Sequence, residues 1–201
     1  MNRFVHLDYE LEVKMKKLQL FNLDVTDNVV SPEQFDITDL KSPATTIFTD
    51  FKKHEALMVE SDTSAEDALK LMLKTHVRMK IVVSDNDDFL GIISTNELTE
   101  QKILAQVSKS NSRKDVLVKD LMIPKYRLHA FDYDELKASS VADVLLALDN
   151  YKLRHCLVLD RSSHHIRGVI SSSDIARKLK LNINLNLENT FSSIYQAAHA
   201  A

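Results

Sequence analysis

The sequence predicts an α+β protein made of two tandem β-α-β-β-α repeats. Two stretches, 64–98 and 140–175, align with an offset of 76 residues at their start and 77 from the glycine onward. In each stretch, helical spacing of apolar residues precedes two short β-branched runs. The two glycines of the 201-residue chain open the same pattern in both copies, GIISTNEL at Gly91 and GVISSSDI at Gly168. A unit of about seventy residues is too long for a solenoid repeat, so two duplicated small domains are expected.

Each repeat is predicted to contain an amphipathic helix. In the second repeat, apolar residues recur at i, i+3, i+4 and i+7: Val141, Val144, Leu145 and Leu148. Ser139 or Ser140 can cap the start of this helix. The matching helix of the first repeat spans 65–75, and Thr63 followed three residues later by Glu66 is a capping-box pattern.

A β-hairpin is predicted after each helix. The runs KIVVS at 80–84 and HCLVLD at 155–160 are each followed by a polar turn and a second short run, FLGIIS or IRGVIS. A further strand is expected before each helix, at 56–60 and at 136–138. A second helix is expected after each hairpin, starting near Asn96 in the first repeat and near Ser173 in the second.

These elements divide the chain into five segments. They are an N-terminal extension 1–38, a first repeat 39–108, a linker 109–118, a second repeat 119–181 and a C-terminal tail 182–201. Short echoes, DLKSP at 39–43 and DLMIP at 120–124, open the two repeats. In the extension, residues 7–18 fit both strand alternation and helical spacing, and good helix formers favour a helix. The alternating LNINLNL at 181–187 favours an edge strand or a partner-pairing tail over disorder.

Composition excludes several classes of function. The formal charge of −3 is spread over 26 basic and 29 acidic residues without a long single-sign block, so neither nucleic acid nor an anionic membrane is an expected partner. No run of eighteen apolar residues occurs, and the N-terminus lacks the apolar core of a secretion signal. The single cysteine, Cys156, lies in an apolar run and is expected to be a buried thiol in a reducing cytoplasm.

The repeated motif has a structural and a functional interpretation. A glycine in a buried strand leaves room either for a neighbouring backbone or for a ligand. Ser171 and Asp174, three residues apart, can cap the following helix and complement its dipole. The same pair sets a hydroxyl and a carboxylate at a strand-to-helix corner, where backbone N–H groups attract phosphate and the carboxylate can accept from a ribose diol.

The two repeats resemble the paired cystathionine β-synthase (CBS) domains that form a Bateman module. The resemblance covers about 39–181 and rests on the duplicated order, on VRMKIVVSD and LRHCLVLD, and on the glycine-led motifs. It implies two repeats packed through their sheets with pseudo-two-fold symmetry, and clefts that bind AMP, ADP, ATP or S-adenosylmethionine as regulatory ligands. It also implies roles for Ser171 near phosphate or ribose and for Asp174 on the ribose hydroxyls. Ser172, Ser173 and Ala138 are counted with these candidate ligand-binding residues.

The first motif departs from the family pattern. Ser94 is present, but Glu97 stands where the family has aspartate, and Glu100 stands where the second repeat has Arg177. A cation at that position can meet a phosphate, whereas an anion repels it. We therefore expect a phosphorylated ligand to prefer the corner formed by Ser171, Asp174 and Arg177. The alternative for Arg177 is an i,i+3 ion pair with Asp174 on a solvated helix face.

The predicted function is a non-enzymatic regulatory module, with no obligatory cofactor, acting through a homodimer or an unidentified protein effector. A structural or dimerisation module that has lost its ligand is the alternative. An enzyme using Cys156 or the histidines is the least favoured class, since no nucleophile elbow or phosphate loop occurs. Neither His155 with His164 and His165 nor the DNDD turn at 85–88 has the ligand spacing of a metal site.

Overall fold

The computed structural model describes residues 19–29, 38–107, 112–151, 153–181 and 190–200. The chain divides into two compact units, Met1–Phe35 and Asp36–Ala201. In the first, the described residues form a turn in which the Asp24 amide donates to Asp27 Oδ2 at 2.7 Å. The ambiguous segment 7–18 and residues 182–187 of the alternating segment lie outside the described residues.

The second compact unit contains two four-stranded sheets and their helices. Its strands are β1 Phe48–Asp50, β2 Met58–Glu60, β3 Met79–Val83, β4 Phe89–Ser94, β5 Ile123–Pro124, β6 Ala130–Asp132, β7 His155–Asp160 and β8 His165–Ser171. Its helices are α1 Ala65–Lys74, α2 Glu100–Val107, α3 Val118–Leu121, α4 Tyr133–Lys137, α5 Val141–Leu148, α6 Ser172–Lys178 and α7 Phe191–Ala200. The predicted α+β class and both hairpins are confirmed. So are the helices α1 and α5.

Both sheets follow the same plan. One has the order β2-β3-β4-β5 and the other β6-β7-β8-β1. In each, the strand before the amphipathic helix runs parallel to the first hairpin strand, and the hairpin strands are antiparallel. The predicted strand at 56–60 is present as β2. A cluster with side chains from both hairpins, including Ile81, Ile92, Leu157 and Val169, packs the sheets together.

Each repeat contributes its first strand to the sheet of the other repeat. β1, which precedes the first repeat's own sheet, pairs antiparallel with β8 of the second repeat, so that Asp50 is opposite Gly168. β5, which precedes the second repeat's sheet, pairs with β4 of the first, so that Pro124 is opposite Gly91. Each sheet is therefore completed by chain from the other repeat.

This exchange explains both glycines. A Cβ atom added to Gly91 would lie 2.3 Å from the carbonyl oxygen of Ile123, and one added to Gly168 would lie 2.1 Å from that of Thr49. Real Cβ atoms do not approach a backbone oxygen so closely. The structural interpretation of the glycines, clearance for a neighbouring backbone, is thus confirmed, and the neighbour in each case is the exchanged strand.

The predicted strand at 136–138 is wrong. The strand that precedes the amphipathic helix lies earlier in the chain, as β6. Directly after it, the Asp132 side chain accepts hydrogen bonds from the amides of Asp134 and Glu135 at 2.9 and 3.1 Å. This N-cap begins α4 at Tyr133, so Leu136 is buried as a helical residue. Periodicity cannot separate a helix from a strand over so short an apolar stretch.

Two predicted helix starts also need correction. The capping box of Thr63 and Glu66 does not form: the Thr63 amide donates to the Glu60 carbonyl at 3.1 Å, and the Ala65 amide donates to the Val116 carbonyl at 2.9 Å. Ser64 is the N-cap residue and makes no side-chain capping bond, whereas Ser140 caps α5 in a capping box with Asp143. In the first repeat the helix expected near Asn96 begins only at Glu100, after a turn.

Two cores lie outside the inter-sheet cluster, one for each repeat. Val116 and Val118, which fall in the predicted linker, are buried in the core of the first repeat. Phe191 and Ile194 of α7 are buried in the core of the second. None of the helices in the described part of the chain combines the length and the apolar character needed to cross a membrane.

Candidate functional site

The second motif forms an open corner between β8 and α6. Ser171 is the N-cap residue of α6, yet its side chain makes no capping hydrogen bond. The carboxylate of Asp174 instead accepts from Arg177 Nη2 at 2.6 Å. The Arg177 side chain is 70% exposed and that of Asp174 34%. The expected cap by Ser171 is therefore absent, and the i,i+3 pair between Asp174 and Arg177 is present.

In the first motif the acid is hydrogen-bonded to the serine of the same motif. Glu97 Oε2 accepts from the Ser94 amide at 3.1 Å and from the Ser94 hydroxyl. Its other oxygen lies 3.7 Å from Lys102 Nζ, and the Glu97 side chain is only 17% exposed. The carboxylate of Glu97 thus bends back to its own serine, in the turn that precedes α2. In the second motif the matching acid, Asp174, is paired with Arg177 instead.

A cleft of about 560 Å³ opens between the two repeats. We call it the arginine cleft, because three guanidinium groups line it. Its lining residues are Met72, Leu73, His76, Val77, Arg78, Thr95, Asn96, Arg154, His155, Ser173 and Arg177. These side chains come from the end of α1, from the turn after β4, from the start of β7 and from α6.

Two arginines cross the cleft reciprocally. Arg78 of the first repeat donates from Nη1 to the Ser173 hydroxyl of the second at 3.4 Å. Arg154 of the second repeat reaches Asn96 of the first; with the amide oxygen facing the guanidinium, Nε and Nη1 donate to it at 3.3 and 3.2 Å. These four residues occupy matching positions in the repeats, so the contacts follow the pseudo-two-fold symmetry.

His155 lies where two clefts meet. It lines the arginine cleft and a second cleft of about 130 Å³, the small cleft, which also contains Ser94, Glu97 and Arg154. Burial lowers the pKa of His155 from 6.5 to about 4, although the charges of Glu97 and Asp174 act in the opposite direction. The imidazole is therefore neutral at pH 7 and adds no positive charge to either cleft.

The structure separates the predicted site residues. Ser173 and Arg177 line the arginine cleft, and Ser94 and Glu97 line the small cleft. Ser171 and Asp174 are at the corner beside the arginine cleft, while Ser172 is only 1% exposed. Ala138 is the exposed C-cap residue of α4 and not the end of a strand.

Sequence reasoning missed Arg78, Arg154 and His155. A signal was available for the arginines, since VRMK and LRHC place them at the same position, immediately before the first hairpin strand of each repeat. That they meet residues of the opposite repeat depends on how the sheets pack. Such pairing has no local sequence signature.

Neither a thiol nucleophile nor a metal cluster is built here. Cys156 is buried, and desolvation raises the pKa of its thiol to about 12. Within the ranges described, no group of three or more His, Cys, Asp or Glu residues has the arrangement of a metal site. The DNDD stretch is a hairpin turn in which the Ser84 hydroxyl accepts from the Asn86 and Asp88 amides.

Solved structures of other proteins have a similar fold. The crystal structure of an uncharacterized conserved protein from Pyrococcus horikoshii is 20% identical, with a TM-score of 0.51, and the match covers 73% of this chain and 98% of that one. A CBS domain protein of unknown function from Thermoplasma acidophilum is 20% identical over 77% of this chain and 78% of its own, with a TM-score of 0.48. CBSX2, a CBS-pair protein of Arabidopsis thaliana, was solved in complex with AMP and is 22% identical over 68% and 94%, with a TM-score of 0.48. No curated protein sequence matches the chain.

At the level of sequence, residues 49–102 match the CBS domain family. This segment runs from β1 through the hairpin of the first repeat into α2. The second repeat has the same order of elements and the same sheet topology. The chain is therefore a tandem pair of repeats with one topology, and the first of them contains the segment that matches the CBS domain family.

Proposed function

We propose that the chain is a non-enzymatic regulatory CBS pair that binds an adenosine-containing ligand between its repeats, preferentially at the second motif. AMP, ADP, ATP and S-adenosylmethionine are the ligands to test. The observation that carries the proposal is the difference between the two acids. The carboxylate of Glu97 accepts two hydrogen bonds from Ser94, whereas that of Asp174 accepts one from the exposed side chain of Arg177.

The closed state of Glu97 disfavours binding at the first motif. A ribose diol would have to displace both the amide and the hydroxyl of Ser94 from the carboxylate. The two donors would then lose a charge-assisted hydrogen bond in a part-buried setting, which costs more than an ordinary exchange with water. The small cleft beside Glu97 is also about 130 Å³, which is little room for a nucleoside.

The second motif does not carry this cost. Arg177 is largely solvated, so it can turn from Asp174 toward a phosphate without burying an unpaired charge. Asp174 then has a free lone pair for the ribose hydroxyls, and the Ser171 hydroxyl is not committed to a helix cap. The neighbouring arginine cleft provides the volume for the remainder of the ligand.

Matched alanine variants test the proposal. Each ligand is titrated calorimetrically into the wild type, Asp174→Ala and Glu97→Ala, after the fold of each variant is checked by circular dichroism. We expect Asp174→Ala to weaken nucleotide binding at least about tenfold and Glu97→Ala to change it less than about threefold. Equal loss in the two variants would refute the preference for the second motif, and no binding by any ligand would refute the proposal itself.

A structural or dimerisation module is the second candidate, and exposed leucines favour it. Leu71 and Leu73 of α1, Leu104 of α2 and Leu146 of α5 are 49–59% exposed. Exposed apolar side chains on helices suit a homodimer contact, which would also transmit a ligand signal to an effector protein. Sedimentation of the wild type and Leu146→Glu separates the cases: a monomeric wild type excludes dimerisation, and a dimer that persists in Leu146→Glu excludes a contact through this leucine.

A further inference from the structure

A further pocket, of about 380 Å³, is formed by residues of β1, α4 and α6 and of the segments on either side of β1. We call it the basic pocket, because the ammonium groups of three lysines line it, Lys53, Lys137 and Lys178. Its lining also contains the side chains of Thr45, His54 and Tyr133. Among the described residues, its lining has no member in common with the arginine cleft or the small cleft. An occupant of the basic pocket therefore does not compete directly for space with a ligand between the repeats.

Two of these ammonium groups have no carboxylate partner. Within the ranges that the structure describes, no carboxylate oxygen lies within 4.0 Å of Nζ of Lys53 or Lys178. Lys178 Nζ donates instead to the carbonyl oxygen of Thr46, an uncharged acceptor that leaves its other N–H groups available. Lys137 Nζ lies 2.7 Å from Asp134 Oδ1, but both side chains are exposed, so this pair is weak. The basic pocket therefore carries positive charge that the protein leaves uncompensated.

The carboxylate in the lining, that of Asp50, is already satisfied. It accepts from Arg167 Nε and Nη2 at 2.7 Å each and from the Lys52 amide at 2.9 Å. The Asp50 carbonyl oxygen accepts in turn from the amides of Lys53 and His54, both at 2.9 Å. Since the guanidinium group balances its charge, Asp50 holds the turn that carries Lys53 without neutralising that lysine.

The other two lysines are on helices whose neighbouring residues are buried. Leu136 of α4 precedes Lys137 and is buried in the core of the second repeat. In α6, Ile175 and Ala176 are buried in the same core just before Lys178. Core packing thus fixes the backbone from which each lysine reaches the basic pocket, so an anion there meets a site that is already arranged.

The charges of the basic pocket are not part of the repeated plan of the fold. In the exchanged strands, Pro124 takes the position of Asp50. In the helix after the hairpin, Gln101 takes the position of Lys178. The helix α4, which carries Lys137, is inserted between β6 and α5, whereas α1 follows β2 without such a helix. The duplication of the fold therefore does not account for the cluster of lysines.

We propose that the basic pocket binds a small multivalent anion, at a site separate from that of the adenosine ligand. Lysine ammonium groups are point charges without the planar fork of arginine, so they attract a phosphate or a di- or tricarboxylate alike. The chemistry that these ligands share is two or more negative charges within one small molecule. The volume of about 380 Å³ is within the range of small-molecule sites.

Such an anion connects three separate parts of the fold, namely the turn after β1, α4 and α6. Because β1 is the strand that the first repeat contributes to the sheet of the second, the bound anion stabilises the association of the two repeats. It binds the folded chain and not the unfolded one, so the free energy of unfolding rises with its concentration.

Calorimetric titration of the full chain at constant ionic strength tests the proposal. Citrate and inorganic pyrophosphate are separate probes for the carboxylate and the phosphate, and acetate is the monovalent control. The variants are Lys53→Gln and Lys178→Gln. Lys52→Gln is the charge-matched control, because Lys52 is exposed in the same turn but lies outside the basic pocket. Lys53 is in an exposed turn, so Lys53→Gln should fold even if Lys178→Gln, which loses the contact with Thr46, does not.

We expect citrate and pyrophosphate to bind the wild type, and acetate to bind at least about tenfold more weakly. Lys53→Gln and Lys178→Gln should each weaken binding at least about fivefold, while Lys52→Gln stays within about twofold of the wild type. Binding of only one probe through these lysines supports the site and identifies its anion as a carboxylate or a phosphate.

Three results overturn the inference. They are no binding of either probe, an equal loss in Lys52→Gln, which would be a general charge effect, and binding that Lys53→Gln and Lys178→Gln leave unchanged, which would place the anion elsewhere. The proposed function is tested separately. If AMP binds through Asp174 while neither probe binds, the inference fails alone. If the probes bind through Lys53 and Lys178 in a chain that binds no adenosine ligand, the proposed function fails alone.

Discussion

Arg167 and Asp50 join the two repeats through a two-pronged ion pair. Arg167 of β8 donates from Nε and Nη2 to the two carboxylate oxygens of Asp50 in β1, each at 2.7 Å. Their side chains are only 12% and 10% exposed. The guanidinium carbon of Arg167 lies 4.3 Å from the centroid of the Tyr133 ring. The hydrogen bonds from Arg167 lower the pKa of Asp50, so the pair is charged at neutral pH. This ion pair secures the exchanged strand β1 on the sheet of the second repeat.

Asp50→Asn should destabilise the protein by about 3 kcal/mol, because it leaves Arg167 with an uncompensated charge in a buried position. Urea unfolding at pH 7 measures the effect. Asp134→Asn removes an exposed i,i+3 pair with Lys137 and is the control, expected to cost less than about 1 kcal/mol. Equal effects from the two variants would mean that burial of the Asp50 pair is unimportant.

Gly91→Ala and Gly168→Ala should each cost about 2–3 kcal/mol, since the new methyl group would overlap the carbonyl oxygen of an exchanged strand and force the backbone to shift. The melting temperature of each variant checks this. Ser163→Ala, in the exposed turn after β7, should change stability by less than about 0.5 kcal/mol. Normal stability of either glycine variant would contradict the close approach of β1 or β5.

The two matched N-cap serines should respond differently to alanine. The Ser140 hydroxyl accepts a hydrogen bond from the Asp143 amide at 3.2 Å and donates one to the Asp143 carboxylate. Ser140→Ala should therefore lower the free energy of unfolding by about 1 kcal/mol. The buried Ser64 hydroxyl has no hydrogen-bond partner among the described residues, so Ser64→Ala should be neutral or slightly stabilising. Chemical denaturation of both variants decides, and equal losses would contradict the asymmetry of the caps.

His155 should make stability depend on pH. Its pKa is about 4 in the folded protein against 6.5 ordinarily, so the unfolded chain binds the proton first. The contribution of the neutral imidazole is therefore complete above pH 6.5 and is lost as the pH falls toward 4. Between pH 7 and pH 5 the loss amounts to at most about 2 kcal/mol. His155→Gln should reduce this loss, measured by urea unfolding at both pH values, while His164→Gln in the exposed turn should leave it unchanged.

Phe191→Ala should cost about 3 kcal/mol, because Phe191 of α7 is fully buried in the core of the second repeat. Thermal unfolding tests whether this helix is part of the folded domain. A replacement at exposed Tyr151, Tyr151→Ala, is the control for loss of an aromatic ring and should have a smaller effect. An unchanged melting temperature for Phe191→Ala would mean that α7 contributes no core packing.

Elements with local signals were predictable from the sequence. Local patterns were sufficient to predict α5 and both hairpins, from the spacing of Val141, Val144, Leu145 and Leu148 and from the β-branched runs. The repeated glycines indicated that a backbone or a ligand approaches the second strand of each hairpin. Prediction failed at 136–138, where three residues cannot reveal a period and where the N-cap Asp132 decides for a helix. The motif itself identified the candidate corner at Ser171 and Asp174.

The contacts between the two repeats could be seen only in the folded protein. β1 and β5 are three and two residues long, and their partners are distant in the chain, so no local pattern could pair them. The same holds for Arg78 and Arg154, which meet acceptors in the opposite repeat. Glu97 and Asp174 occupy matching positions, but only the structure shows that Glu97 is hydrogen-bonded to Ser94 whereas Asp174 is paired with Arg177. Contacts between distant segments depend on how two sheets pack, and that packing is a property of the whole core.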